Sequence, residues 1–197
     1  HCFSFAKSLI NSVEFSNAHI ETIRHNAFAD CRALSKIDLS STKIERVSKQ
    51  LFSSCYGLQT IILPNTVRVI SEGAFESTAI KEIEWPENLE IMRKGAFKGC
   101  FKITEINFST CANLKVIGSA AFSMCTELKK LDLGDKIEEI GKLAFNDTRI
   151  QEFILPGAIK KIGKSALSST NISLITIPQN NTLYFTQNNI IYDKSKT

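Results

Sequence analysis

The sequence predicts an α/β solenoid of about seven to eight repeats, with short parallel strands on one face and short helical or 3₁₀ turns on the other side. Three observations carry this expectation. An (Ala or Leu)-Phe landmark returns every 22–25 residues. An apolar pair one residue apart follows each landmark at a nearly fixed distance. All four prolines (64, 86, 156, 178) stand directly after such a pair. Self-similarity at this period means stacked units.

The landmarks are Ala27-Phe28, Leu51-Phe52, Ala74-Phe75, Ala96-Phe97, Ala121-Phe122, Ala144-Phe145 and Ala166-Leu167, with Phe5 in the same place at the start. Eight and five positions before each stands an apolar pair, such as Ile20/Ile23, Val67/Ile70 or Ile137/Ile140. An apolar pair three apart running into Ala-Phe fits a turn of helix or 3₁₀ on the far side. After the landmark the repeats divide into two variants. Phe28, Cys31, Leu34, Ile37, Leu39 shows the longer, shared by the repeats from Phe52, Phe97 and Phe122. Phe75, Thr78, Ile80, Ile83, Trp85 shows the shorter, with Ser or Thr for Cys, shared by the repeats from Phe5, Phe145 and Leu167.

The Ile-x-Leu pair alternates with period two, which suits a short strand buried on one face. Proline ends it, having no N–H for a sheet ladder. A unit of this length cannot close a core alone, so neighbours must stack. The 13 Phe, against one Trp and three Tyr, then read as a core ladder. Its members are 28, 52, 75, 97, 122 and 145, with Phe5 a seventh.

The phrase Ile-Gly-x-x-Ala-Phe-x-x-Cys-x-x-Leu-x-x-Ile-x-Leu-Pro is carried most closely by Ile117-Gly118 to Phe122, Ile140-Gly141 to Phe145 and Ile162-Gly163 to Leu167. On these residues the chain resembles leucine-rich repeat proteins of the BspA-like (treponemal-type) family. It departs from the generic leucine-rich repeat, which places its Asn or Cys after the strand pair. The resemblance implies a curved solenoid over residues 1–178 whose strands line the concave side. It also implies a closing segment, 179–197, in which Leu183–Phe185 and Ile190–Tyr192 form a hairpin joined by Thr186-Gln187-Asn188-Asn189. The setting it implies is the cell surface or secretion, with adhesion to host proteins or other cells; an intracellular scaffold or regulator is the alternative.

Chemistry is sparse. No run approaches the roughly 20 apolar residues that span a bilayer, so no direct membrane insertion is expected. The opening HCFSFAKSLINSVEF lacks an initiator Met and a basic-then-apolar signal region, which reads as a mature fragment. The net charge of +4 is mild, and the lysines lack interleaved exposed aromatics, so nucleic acid is not an expected partner. Cys31, Cys55, Cys100 and Cys125 occupy one repeat position and read as buried thiols capping a turn rather than metal ligands. Cys2 and Cys111 lie outside that column, without a sequence-defined partner and open to exposure. Gly157 to Ser165 imitates a phosphate loop but has one residue too many between its glycines. The three histidines (1, 19, 25) belong to no catalytic phrase. Asn-x-Ser/Thr sequons begin at Asn107, Asn146, Asn171 and Asn180; they matter only in a glycosylating cell. No catalytic residue, cofactor or metal is expected, and the chain is read as a non-enzyme.

What remains is the outward side of the strands. Between the two buried strand residues stand Glu14, Asp38, Ile62, Glu84, Asn107, Asp132, Ile154 and Thr176. Just before the pair stand Ser12, Lys36, Thr60, Glu82, Glu105, Lys130, Glu152 and Leu174. The first column holds four acids and no base on a chain that is net positive. Acids among exposed aliphatics suit a protein-binding face. Glu14, Lys36, Asp38, Ile62, Glu82, Glu84, Glu105, Asn107, Lys130, Asp132, Glu152, Ile154 and Thr176 are its candidate residues, the expected partner being another protein.

Overall fold

A computed structural model describes residues 11–15, 19–188 and 190–194. The chain winds as stacked rungs, here numbered by their outer strand. Rungs 1–3 carry Ser12–Glu14, Lys36–Asp38 and Thr60–Ile62. Rungs 5–8 carry Glu105–Asn107, Lys130–Asp132, Glu152–Ile154 and Leu174–Thr176. Rung 4, residues 82–84, stacks in the same place without forming a strand. Neighbouring strands pair in parallel with like positions opposite, as in Lys36↔Thr60, Ile37↔Ile61 and Asp38↔Ile62.

The far side differs from the helical or 3₁₀ turns expected. No α-helix forms among the described residues. The apolar pair three apart instead ends in two-residue strands: Arg46–Val47, Val69–Ile70, Ile91–Met92, Val116–Ile117, Glu139–Ile140 and Lys161–Ile162. These make one continuous six-stranded parallel sheet. The Ala-Phe corner is not helical either, and its backbone shows why. Residues two before and two after each landmark Phe from Phe28 to Phe145 have positive φ, as Asn26 (57°) and Asp30 (60°) do around Phe28. The same holds for Ala120 (52°) and Met124 (64°) around Phe122. A left-handed residue every four positions cannot sit in an α-helix. It turns alternate N–H groups toward the next rung instead: Asn26, Phe28 and Asp30 donate to the carbonyls of Lys49, Leu51 and Ser53 at 3.2, 3.0 and 2.8 Å. The corner is thus a third backbone ladder, and buried amides find partners one rung away. Gly73, Gly95 and Gly99 take left-handed places in this pattern, where they carry no Cβ penalty.

The core runs the length of the stack. Phe28, Phe52, Phe75, Phe97, Phe122 and Phe145 are buried and stack in order at 5.4, 5.4, 4.8, 5.3 and 5.6 Å between ring centroids. Ring planes lie within 19° of parallel along the series. Phe5 lies outside the described residues. Trp85 meets the stack edge-on, 5.3 Å from Phe97 and 4.7 Å from Phe108.

The outer strands form no continuous sheet. Strand ladders join rungs 1, 2 and 3, rungs 5 and 6, and rungs 7 and 8; all of these pairs except rungs 1 and 2 have equal spacer length. The ladder is interrupted between rungs 3 and 4, 4 and 5, and 6 and 7, each a junction of the longer and shorter variants. At these three junctions one residue fewer before the strand displaces its N–H and C=O groups relative to the longer neighbour, whereas rungs 1 and 2 keep their ladder across the same difference. Because the six-stranded sheet and the Phe corner stay in register throughout, the rungs remain stacked where the outer ladder lapses.

After rung 8 the chain forms an antiparallel hairpin, Tyr184–Gln187 with Ile190–Asp193, whose closing pair is Gln187↔Ile190. Asn188 in the turn has φ 53°, as a two-residue hairpin loop requires. Tyr184 is buried and its hydroxyl donates to the Lys160 carbonyl at 3.3 Å.

Candidate functional site

The outer strand face places the two sequence columns side by side. Strand register sets Glu14 by Asp38 and Ile62, Asn107 by Asp132, and Ile154 by Thr176. The preceding column sets Lys36 by Thr60, Glu105 by Lys130, and Glu152 by Leu174. Ile37, Ile61, Ile106, Phe153 and Ile175 between them point into the core. Of the candidates, Asp38 and Ile62 are half-buried and the other eleven are exposed. Glu82 and Glu84 belong to the face without belonging to a strand.

The turn after each strand decides which of these residues the fold itself uses. In rungs 2, 5 and 6, where no proline follows, the outward residue is Asp or Asn and accepts a backbone hydrogen bond from two residues on. Asp38 Oδ1 takes the Ser40 N–H at 2.9 Å, Asn107 Oδ1 the Ser109 N–H at 2.8 Å, and Asp132 Oδ1 the Gly134 N–H at 2.9 Å. These are Asx turns, and the Ser40 bonds hold the Asp38 carboxyl below its ordinary value. Where Pro64, Pro86, Pro156 or Pro178 follows, that position has no N–H to cap. The outward residue is then Ile62, Glu84, Ile154 or Thr176, and no turn dictates it. This division was legible as Asp/Asn-x-Ser/Gly against x-x-Pro, and the sequence reading missed it.

Charges are arranged differently on the face of the six-stranded sheet. One column there alternates in sign rung by rung: Glu45, Arg68, Glu90, Lys115, Glu138, Lys160. Arg68 meets Glu90 at 2.8 Å, while Lys115 and Lys160 meet Glu138 at 3.3 and 2.6 Å. Those lysines hold the Glu138 carboxyl below its usual range. Beside them Lys161 meets Glu139 at 2.7 Å. Exposed pairs of this kind contribute little stability each, but they neutralise the surface locally. On the outer face the only ion pair among the described residues is Lys130 with Glu105 at 3.3 Å. No ion pair engages Glu82, Glu84, Asp132 or Glu152 among the described residues. Ile154 is 64% exposed and Leu174 50%. Two grooves open at interruptions of the outer ladder: one is lined by Ile61, Ile62, Glu82 and Glu84, the other by Glu105, Asp132, Glu152 and Ile154.

The cysteine column is structural. Cys31, Cys55, Cys100 and Cys125 are buried. The thiols of Cys55, Cys100 and Cys125 donate to the carbonyls of Phe28, Phe75 and Phe97 in the preceding rung, at 2.9, 3.1 and 3.2 Å. Cys111, expected to be open to exposure, is buried instead, its Sγ facing the Pro86 carbonyl at 3.7 Å; Cys2 lies outside the described residues. Desolvation pushes the Cys55 and Cys100 thiols up to about 12. An unfolded thiol ionises near 9.0, so above that pH the unfolded state sheds protons that the folded state keeps. Stability should fall from pH 9 toward 12 by on the order of 1 kcal/mol per thiol per pH unit. Urea midpoints between pH 8.5 and 10.5 check this, and a Cys55→Val/Cys100→Val protein should give the flatter curve. An equally steep loss in both would refute it.

Among the described residues no three His, Cys, Asp or Glu side chains converge to hold a metal ion. His25 Nδ1 accepts the Lys49 N–H at 3.1 Å. No helix among the described residues is long and apolar enough to cross a membrane.

A family model described as BspA type leucine rich repeat region matches in six copies, over residues 1–113 and 90–195. A comparison with curated proteins finds no match. Among solved structures, a leucine rich cell surface protein from Faecalibacterium prausnitzii A2-165 is similar, with TM-score 0.79 and 18% identity over 94% of this chain and 52% of that one. The pneumococcal vaccine antigen PcpA gives TM-score 0.65 and 22% identity over 79% of this chain and 41% of its own. The leucine rich repeat protein of T. pallidum gives TM-score 0.61 and 19% identity over 87% and 79%. The chain therefore spans about half of the first of these and less of the second. At such identities the likeness is one of fold.

Proposed function

The chain belongs to the BspA-type leucine-rich repeat family, and on that footing we propose that it is a non-enzymatic protein-binding module whose partner lies across the outer strand face. Repeats of this family generally serve protein–protein interaction. The observation that carries the reading is the contrast between the two sheet faces. On the six-stranded face Arg68, Glu90, Lys115, Glu138, Glu139, Lys160 and Lys161 are paired with rung neighbours. The outer face keeps Glu82, Glu84 and Glu152 without ion pairs among the described residues, beside exposed Ile154 and Leu174. Unspent charge around exposed aliphatics is the composition of an interface. A cell-surface or secreted setting is supported by the similar Faecalibacterium cell surface protein and pneumococcal vaccine antigen, and the role we propose in that setting is adhesion to a protein of a host or another cell.

One experiment tests both parts. A photocrosslinker is placed at Glu84, and separately at the exposed Lys142 on the opposite corner, in the protein as its own cells make it. Antibody is added to the intact cells in the same preparation. The expected result is surface labelling and a partner crosslinked from position 84 only. With the crosslinker at position 84, Asp38→Asn with Asp132→Asn should cut that yield several-fold while leaving the melting temperature in place, since Asn retains the Oδ1 of each Asx turn. Crosslinks from position 142 alone remove the outer face from the proposal. Absence of surface label removes the adhesion setting.

A further inference from the structure

Ile62, Glu84, Asn107, Asp132 and Ile154 occupy one position in five consecutive rungs, 3 to 7, and read apolar, acidic, polar, acidic, apolar. The two isoleucines flank the two acids. Both isoleucines fall in proline-followed rungs, where no turn prescribes the residue, and an aliphatic there exposes surface to water without serving the fold. Each also lines one of the two grooves, with Glu82 and Glu84 beside Ile62, and Glu105 and Asp132 beside Ile154. Between the isoleucines the rungs stay in register through the six-stranded sheet, as Val69↔Ile91, Ile91↔Val116 and Val116↔Glu139. Parallel rungs lie about 4.8 Å apart, which puts Ile154 about 19 Å from Ile62, with the acids about 5 and 14 Å along.

An extended chain rises about 3.3 Å per residue and presents every second side chain to one side. Residues i, i+2, i+4 and i+6 of such a segment therefore stand at about 0, 7, 13 and 20 Å. The outer positions meet the isoleucines, and the inner ones meet the acids within the reach of a lysine or arginine stem. Taking the outer strand face as the partner surface proposed above, we propose that it seats an extended segment of a protein partner running along the stack. That segment has bulky apolar side chains at i and i+6 and basic side chains at i+2 and i+4. Exposed carboxylates without ion-pair partners supply the charge complementarity, and the two grooves receive the apolar ends. Glu84 and Asp132 fix the sign of the inner side chains, and Ile62 and Ile154 fix the spacing of the outer ones.

The probe is a fluorophore-labelled, capped peptide Leu-Ser-Lys-Ser-Lys-Ser-Leu, titrated against the 197-residue chain by anisotropy. The comparison peptides are Leu-Ser-Glu-Ser-Glu-Ser-Leu and the spacing-scrambled Leu-Leu-Ser-Ser-Ser-Lys-Lys. We expect the lysine peptide to bind at least about tenfold more tightly than either. Ile62→Ser and Ile154→Ser should each weaken it about fivefold or more. Glu84→Gln with Asp132→Asn should weaken it comparably and flatten its salt dependence. Far-UV circular dichroism and melting of each variant confirm that the stack is intact. No binding, equal binding of the scrambled or acidic peptide, or isoleucine variants that bind like the parent overturn the proposal. A protein crosslinked from position 84 together with no peptide binding refutes this partner chemistry and spares the face. Crosslinks from position 142 alone refute the face itself.

Discussion

Phe122→Ala is expected to lower stability by about 3–5 kcal/mol, enough to unfold much of the array at room temperature, while Lys129→Ala leaves the urea midpoint unchanged. Phe122 has no exposed surface and lies between two parallel neighbours, 5.3 Å from Phe97 and 5.6 Å from Phe145. Trp85 and Phe108 add edge and tilted contacts at 6.3 and 6.2 Å. Truncation removes the buried ring and leaves a hole that rigid rungs on either side cannot close. The loss is compounded by topology. In a stack each rung touches only its neighbours, so weakening one in the middle uncouples the two ends. Circular dichroism should then show a broader transition, and Trp85 fluorescence should report early loosening on the Phe97–Phe122 side. Lys129 is an exposed side chain seven residues on. Equal effects of the two substitutions would refute the stacking register.

Gly141→Ala is expected to destabilise by about 3 kcal/mol or more, at the upper end of what overpacking costs. A Cβ on Gly141 would stand 2.4 Å from the Ser119 nitrogen and 2.6 Å from the Gly118 carbonyl carbon. Gly163 repeats the arrangement at 2.3 Å from the Lys142 nitrogen, and Gly118 at 2.6 Å from the Arg93 carbonyl carbon. The obstacle is backbone, held by the ladder bond from the Gly141 N–H to the Ile117 carbonyl at 2.7 Å, so it cannot swing aside. Gly95 is the control. Its Cβ would meet nothing closer than Lys98 Cβ at 3.8 Å, and only its φ of 60° resists substitution, a penalty of about 1 kcal/mol. Thermal melts of the two variants should differ widely. If Gly95→Ala proves as damaging as Gly141→Ala, close approach is not what the glycines provide.

These outcomes divide by what a linear sequence can carry. Period, landmark and alternation are intra-rung properties, written within one stretch of about 23 residues, so the Phe stack and the inward and outward strand columns could be read directly. The far side was misread because an apolar pair three apart before Ala-Phe has the same local spacing in a helical turn as in a strand running into a corner. What separates them is a hydrogen bond between residues more than 20 positions apart, such as Phe122 N–H to the Ala144 carbonyl at 2.8 Å. The left-handed residues beside each Phe are shaped by that partner, and only some are glycine or asparagine.

That this chain is a stack, which residues fill its core and which columns face outward all follow from the linear order of residues, because burial follows a periodicity each repeat states for itself. The tertiary structure alone decided how the rungs meet. It decided that the outer ladder lapses at three of its junctions, that Asp38 and Asp132 are held by their own turns, and that Lys160 and Lys161 are tied to Glu138 and Glu139. Each of those depends on the distance and angle between groups that only folding brings together, and no single repeat contains both partners.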